Sequence, residues 1–269
     1  MHPKKQTLLW RIHSGQNEFK GYLFGTMHVR DEAAFKHVVF LEKKILACNA
    51  FAAEFHLDEG AKQSNNNLAF LPNQTILSDY LPEKAFQKIK QSIQKSFTVD
   101  LQLFQRIQPL FITNILTEQV LSNDRPVPLD ESLWQFAKAQ QKELLGIETW
   151  EEQQKTLSQL DIPYQIKNLK AIARKPVRFK KGLHKSLDHY LKGNIKQLYR
   201  SAYKSAGEKR KVLLFNRNKV MTERIKQIVN QRSLFAAVGA GHLFGEKGII
   251  RLLKQEGFRV KPILMEVQK

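Results

Sequence analysis

The sequence predicts an α/β fold: a central mixed sheet built from two β-(Gly-x-x-His)-α-β units, with a mostly helical lobe in the middle of the chain. Three observations predict it. An apolar strand pattern leads into Gly25-x-x-His28 near the start and another into Gly239-x-x-His242 near the end, each followed by a helical pattern and a further strand. Between them, residues 75–142 and 150–231 carry apolar side chains largely at helical spacing. The 269 residues, 42% of them hydrophobic, suffice for a sizeable core and argue against disorder. We read the chain as one domain over 1–269, with its sheet core at about 7–60, 143–150 and 233–266.

The elements follow in order. Residues 8–12 and 21–24 are short apolar runs separated by Ser14-Gly15-Gln16-Asn17, a hairpin pattern that leads into the first motif. Residues 33–46 form a helix whose core face is Phe35, Val38, Val39 and Ile45. Residues 50–55, apolar except for Glu54, read as a buried strand. Polar residues 60–74 make a loop. Leu81-Pro82-Glu83 has the proline expected in a helix's first turn, and Phe86, Ile89 and Ile93 stripe that helix. A second helix covers 108–121. After Pro126 and Pro128, Asp130 stands where an N-cap belongs, ahead of a helix over 131–142 and a short strand at 144–147. Thr149-x-x-Glu152 is a capping-box spacing that opens another helix. Residues 163–230 are mostly helical. Ile166, Leu169 and Ile172 share one face, and Leu187, Tyr190, Leu191 and Leu198 another, with a break at Gly193-Asn194. A last helix there, 208–229, turns Val212, Phe215, Ile225 and Ile228 inward. The end returns to a strand at 234–238, a helix at 248–255 closed by Gly257, and a strand at 260–264.

Charge and cysteine bound the function. The net charge is +19, and residues 161–232 hold 20 Lys and Arg against four Asp and Glu. Such a stretch is either a solvated basic face or a surface for an anionic partner. It lacks the interleaved aromatic residues of a nucleic-acid stacking platform. The lone Cys48 excludes an internal disulfide and a Cys-rich zinc site, and its apolar neighbours mark it as a buried thiol rather than a nucleophile. No apolar run is long enough to span a bilayer, and no signal-peptide core follows the basic start. As it stands the chain is expected in the cytoplasm; it would read the same if a leader had been removed from an exported or periplasmic protein. There is no His-Glu-x-x-His, P-loop or Gly-x-Ser-x-Gly.

The two Gly-x-x-His motifs carry the chemistry. Chance alone supplies about 0.4 such pairs in this composition, so their number says less than their placement. Each follows a strand and precedes a helix, and the carboxyl ends of strands are where open α/β sheets bind ligands. Gly25 and Gly239 allow a sharp turn there, which aims His28 and His242 into the crevice. A lone histidine beside an apolar strand is otherwise an ordinary hydrogen-bonded core residue. Glu54 ends an apolar strand, so its carboxylate must be neutral, paired or metal-bound. Two His and one carboxylate form a catalytic transition-metal set with open positions for water. Alternation puts His56 on the side of Glu54, without deciding whether it reaches the site.

Several segments resemble the TraB/GumN (Tiki-like) family, in the family's order from about Leu8 to Pro262. Leu8-Leu9-Trp10-Arg11-Ile12 and Gly21-Tyr22-Leu23-Phe24-Gly25-Thr26-Met27-His28 resemble its opening. Leu71-Pro72-Asn73-Gln74-Thr75-Ile76-Leu77-Ser78-Asp79 resembles its LP-x-G-x-x-LSD segment, with Gln74 in place of the glycine. Gly146-Ile147-Glu148-Thr149-Trp150-Glu151-Glu152-Gln153 resembles its GLET-x-EEQ, Arg217-Asn218 its helical RN, and residues 238–248 its final signature. Leu214-Phe215-Asn216 departs where relatives often carry an acid. The resemblance implies a metal-dependent protease that uses Mn²⁺ or Co²⁺ through the two motifs and an acidic residue, and a likeness to erythromycin-esterase-like and ChaN-like folds.

The expectation is therefore a hydrolase in which His28, His242 and Glu54 hold a divalent transition metal (Mn, Co or Zn) and activated water attacks an amide or ester carbonyl of a peptide or other small substrate. Glu54 or Glu148 takes the proton. Arg217 or Asn218 donates to the oxyanion. Each role has a rival: Asp130 as N-cap, Arg217 as the ion-pair partner of Glu148, Glu151 and Glu152 as helix-start residues. The alternative is a non-catalytic binding or regulatory protein whose basic stretch, 161–232, holds an anionic partner.

Overall fold

The computed structural model describes residues 6–59 and 69–265. Most of the polar loop expected at 60–74 lies outside the described residues; its end carries a short 3₁₀ turn, Pro72–Gln74. In chain order the elements are β1 (Leu9–His13), β2 (Phe19–Thr26), α1 (Val38–Leu46), β3 (Ala50–Ala53), α2 (Glu83–Phe97), α3 (Pro109–Glu118), α4 (Leu129–Ala139), β4 (Glu143–Gly146), α5 (Trp150–Ser158), α6 (Ile162–Arg174), α7 (Pro176–Leu191), α8 (Ile195–Ala206), α9 (Arg217–Gln231), β5 (Leu234–Gly239), α10 (Ile249–Gln255) and β6 (Arg259–Ile263). They group into two compact units. One holds residues up to 61, 123–153 and 186 onward, with the whole sheet; the other holds 62–122 and 154–185.

The sheet unit has strand order β4-β3-β5-β2-β1-β6. β2, β5, β3 and β4 are mutually parallel, and β1 is antiparallel to both of its neighbours, so β6 runs with the parallel set. The sheet is thus mixed, as the sequence predicts. Both expected β-α-β units are present, and they leave the centre in opposite directions. From β2 the chain passes over β5 to reach β3; from β5 it passes over β2 and β1 to reach β6. Crossovers of one hand that run in opposite directions place their helices on opposite faces, which makes β2/β5 a topological switch point.

Alternation along the strands feeds both layers. Leu23, Ala52, Leu234, Ala236 and Val238 pack with Met221, Ile225 and Val229 of α9 and Ile249 and Leu253 of α10. On the other face Phe51 stacks on Phe235 at 5.7 Å and meets Trp134 of α4 edge-on at 6.1 Å. The small Ala50, Ala52 and Ala236 face α9 and α10, while the large Phe51 and Phe235 fill the opposite layer. Three local expectations differ. A 3₁₀ turn, Glu32–Phe35, precedes α1 and rotates its face, so Leu41 is buried and Val39 is exposed. A π-helical segment, Lys211–Asn216, precedes α9 and shifts its register, burying Leu214, Met221 and Val229 in place of Val212 and Phe215. Pro128, not Asp130, is the N-cap of α4.

The second unit has its own core, in which Phe86, Ile89 and Ile93 of α2 meet Ile112 and Leu116 of α3 and Ile166 and Leu169 of α6. Ser92 Oγ donates to the Ala173 carbonyl at 2.6 Å, tying α2 to the end of α6.

Candidate active site

Four adjacent parallel strands end side by side, and each hands a polar residue to the same edge. Register sets the order. Gly25 lies opposite Val238 and Thr26 opposite Gly239, so the two motifs start one residue out of step on neighbouring strands. Glu54 directly follows β3, and Glu148 lies two residues beyond β4, with its N–H donating to the Glu54 carbonyl at 2.7 Å. The glycines answer to crowding. A Cβ on Gly25 would stand 2.7 Å from Leu243 Cδ1, and one on Gly239 would stand 2.9 Å from Glu54 Oε1.

His242 is buried and centres one network. Asn218 Nδ2 donates to the Lys247 carbonyl at 2.6 Å, which turns its Oδ1 toward His242 Nδ1, also 2.6 Å away. His242 Nδ1 therefore carries the proton, and in the neutral ring Nε2 bears the lone pair, 3.9 Å from Glu54 Oε1. Burial holds the imidazole down at about 4, with Glu54 opposing and Arg217 assisting. Glu54 Oε1 accepts from the Gly239 N–H at 2.6 Å, and its Oε2 accepts from Arg217 Nη2 at 2.6 Å. Burial resists its ionisation, yet Arg217, His242 and the Gly239 N–H outweigh that and draw the carboxyl down to about 2. Arg217 also binds the buried Glu148, through Nε at 3.0 Å to both oxygens and through Nη2. Burial raises the Glu148 carboxyl and Arg217 pulls against it. Burial also opposes the charge on Arg217, but its two carboxylates keep it cationic.

His28 has different surroundings. Its side chain is 65% exposed, and both oxygens of Asp130 lie 3.0 Å from Nδ1. Asp130, in the first turn of α4, is thus a histidine partner rather than a cap. The structure joins Glu54, Glu148, Arg217, Asn218, Gly239 and His242 in one network and His28 with Asp130 in another. Among the described residues no three His, Cys, Asp or Glu side chains stand together as a metal-ligand cluster.

Other residues that the sequence singles out have structural employment. His56 packs edge-on against Trp134 at 4.8 Å and accepts from the Glu59 N–H. Thr149 and Glu152 form the expected capping box. Cys48 is buried, which pushes its thiol up to about 12 against the pull of Lys142. A minority of the cations in the basic stretch form ion pairs with described residues, among them Lys192 with Asp188, Arg224 with Glu152, Lys226 with Glu256 and Arg232 with Glu143. Sequence reasoning places Tyr190 only on a core face. Its buried hydroxyl donates to the Gly25 carbonyl at 3.2 Å and so braces the first motif. The π-helical turn before Arg217 has no signal in the local pattern.

Comparison with known proteins matches the sequence to a family. The profile of the TraB/PrgY/gumN family matches residues 8–262. The chain belongs to the TraB/PrgY/gumN family. Curated relatives include a protein named metalloprotease TIKI homolog from Nematostella vectensis, 23% identical over 312 aligned positions, which cover 91% of this chain and 65% of the relative. A protein of the same name from Amphimedon queenslandica is 22% identical over 319 positions, covering 95% and 61%. The chain thus spans less than two thirds of the length of these curated relatives. No solved structure matches it. As a TraB/PrgY/gumN protein it carries both Gly-x-x-His motifs inside the matched region, and none of its described helices is long and apolar enough to cross a membrane.

Proposed function

We propose that this chain is a metal-dependent hydrolase of peptidase type that cleaves an amide or ester bond in a peptide or other small carbonyl compound. One observation carries the reading: two histidines at neighbouring strand ends each have Nδ1 engaged by an oxygen acceptor, the orientation that metal-binding histidines adopt. The donor chemistry fits a divalent ion. Glu54 is ionised, and each of its oxygens has a second lone pair beyond the hydrogen bond it accepts. With Arg217 set against Glu148, the charges of Glu54 and Asp130 remain to balance a dication. His28, His242 and Glu54 would hold it, and Mn, Co or Zn suits such donors. When bound, such an ion supplies Lewis acidity toward a carbonyl and a lowered pKa for water.

The chain's own residues supply the rest. Asp130 and Asn218 fix the two imidazole rings. Both ends of the Asn218 amide are committed, so we assign the carbonyl-oxygen contact to Arg217 alone, through Nη1, which takes no part in its bonds to the glutamates. Glu148 positions Arg217.

Elemental analysis and thermal unfolding on Mn²⁺, Co²⁺ or Zn²⁺ titration test this reading. We expect saturable stabilisation that disappears in His28→Ala and in His242→Ala. Metal content near zero after incubation, with both variants unchanged, overturns it. A second reading draws on α6 and α7, where Lys170, Arg174, Lys175, Arg178, Lys181 and Lys185 form no ion pair with the described residues. An anionic partner there predicts heparin retention that falls steeply with salt; retention indifferent to salt excludes it.

A further inference from the structure

A cavity of about 810 Å³ in the sheet unit lies outside the histidine networks. Its walls are the start of α8, the loop Leu243–Glu246 and one face of α10, with Trp10 of β1 among them. Trp10, Ile195, Leu243, Phe244 and Ile250 make the lining mostly apolar. The Trp10 indole N–H has no hydrogen-bond partner. Three cations stand at the lining: Lys196 on α8, and Arg251 and Lys254 on α10. None of the three makes an ion pair with the described residues, and all are exposed. Arg251 and Lys254 are three residues apart, so like charges share one helix face, where they mildly disfavour each other and an anion could meet both. Glu246 is the lining's one acid. The first turn of α8, capped by Asn194, adds the positive end of its dipole to the same side.

An apolar hollow with unmatched cations has one complementary ligand class. We propose that this cavity binds a small amphipathic anion, with its apolar body against Trp10, Phe244 and Ile250 and its carboxylate or phosphate head among Lys196, Arg251 and Lys254. The size suits it: ligand cavities run from about 300 to 1,000 Å³ and combine apolar walls with a few polar anchors. The site is independent of the hydrolase reading. Its wall includes Leu243–Glu246, the stretch that directly follows His242.

Isothermal calorimetry on the full chain with dodecanoate, below its micelle concentration, tests the proposal. Saturable binding is expected, at least tenfold tighter than dodecyltrimethylammonium, which has the same tail and opposite charge. The double variant Arg251→Ser/Lys254→Ser should weaken dodecanoate at least tenfold and leave the thermal midpoint unchanged; Lys196→Ser, on a different helix, should weaken it several-fold. Inorganic phosphate should bind far more weakly than dodecanoate, since the apolar walls contribute nothing to it. Equal affinity for the two detergents, phosphate as tight as dodecanoate, or dodecanoate binding unaltered in both variants overturns the proposal. So does sedimentation with phosphatidylglycerol vesicles without any binding of monomeric dodecanoate, which would make this face a membrane contact instead.

Discussion

The two Gly-x-x-His motifs are alike in sequence and unlike in the fold. His242 is buried, its ring held by a neutral amide, with Glu54 3.9 Å away and Arg217 bridging Glu54 to Glu148. His28 is exposed and held by a carboxylate. The same local pattern delivers both to neighbouring strand ends, but each environment is supplied by residues far off in the chain. Stability and ligand binding should therefore separate: the His242 side carries both, and the His28 side carries binding with little stability.

Arg217→Ala should have the largest effect. It leaves Glu54 and Glu148 facing one another without their shared cation, and breaking one partner of a buried ion pair costs about 3–5 kcal/mol. Urea unfolding of the metal-free protein measures this. A loss under about 1 kcal/mol would mean that the His242 side holds no special share of stability, and the contrast between the motifs would collapse.

Proton linkage gives the next effect. In metal-free protein His242 titrates near 4 when folded and near 6.5 when unfolded. Between those values the unfolded chain takes up a proton that the folded one refuses, so stability falls as pH drops from about 6.5 to 4, by up to ~3 kcal/mol. Glu54, depressed to about 2, is ionised in the fold while the unfolded carboxyl protonates, so a further loss runs from about pH 4.5 down to 2. His242→Gln should remove the upper part of this slope and keep the lower. An unchanged slope would place the titrating group elsewhere.

Asn218→Ala tests the amide directly. It strips the acceptor from His242 Nδ1 and the donor from the Lys247 carbonyl, and leaving buried polar groups unpaired costs about 1–3 kcal/mol. Metal affinity should fall about 10- to 100-fold as the ring loses its fixed orientation.

Much of this could be seen in the sequence, for identifiable reasons. Hairpin, strand ends and capping box are short-range patterns, and Glu54 stands out because an acid ending an apolar strand needs a partner. The partners were not legible. Nothing local reveals that β3 pairs with β5 rather than β2, which is what brings Glu54 under Gly239. Asp130 reads as a cap because the residue it serves lies 102 positions away. The departure at Gln74 became intelligible only with dihedral angles. Asn73 and Gln74 both adopt left-handed backbone, φ 53° and 57°, so the family's glycine answers a real conformational demand. Relief of the left-handed backbone, worth roughly 1–2 kcal/mol and partly offset by the entropic cost of glycine, should accordingly let Gln74→Gly raise stability by about 1 kcal/mol. It lies in the other unit and should leave metal uptake untouched, the control that separates motif effects from general ones.

The smallest change in stability is expected at Asp130. Its carboxylate is part-exposed and caps no helix, so Asp130→Ala should shift unfolding by no more than about 0.5 kcal/mol. The His28 ring would lose the group that orients it, and partners of that kind are worth about 10- to 100-fold in metal affinity. A variant with wild-type urea midpoint and weakened metal uptake would separate binding from stability on the His28 side, as Asn218→Ala does not on the His242 side. If Asp130→Ala instead unfolds as easily as Asn218→Ala, the exposed histidine is built into the fold as firmly as the buried one. The two motifs would then differ in solvent contact alone.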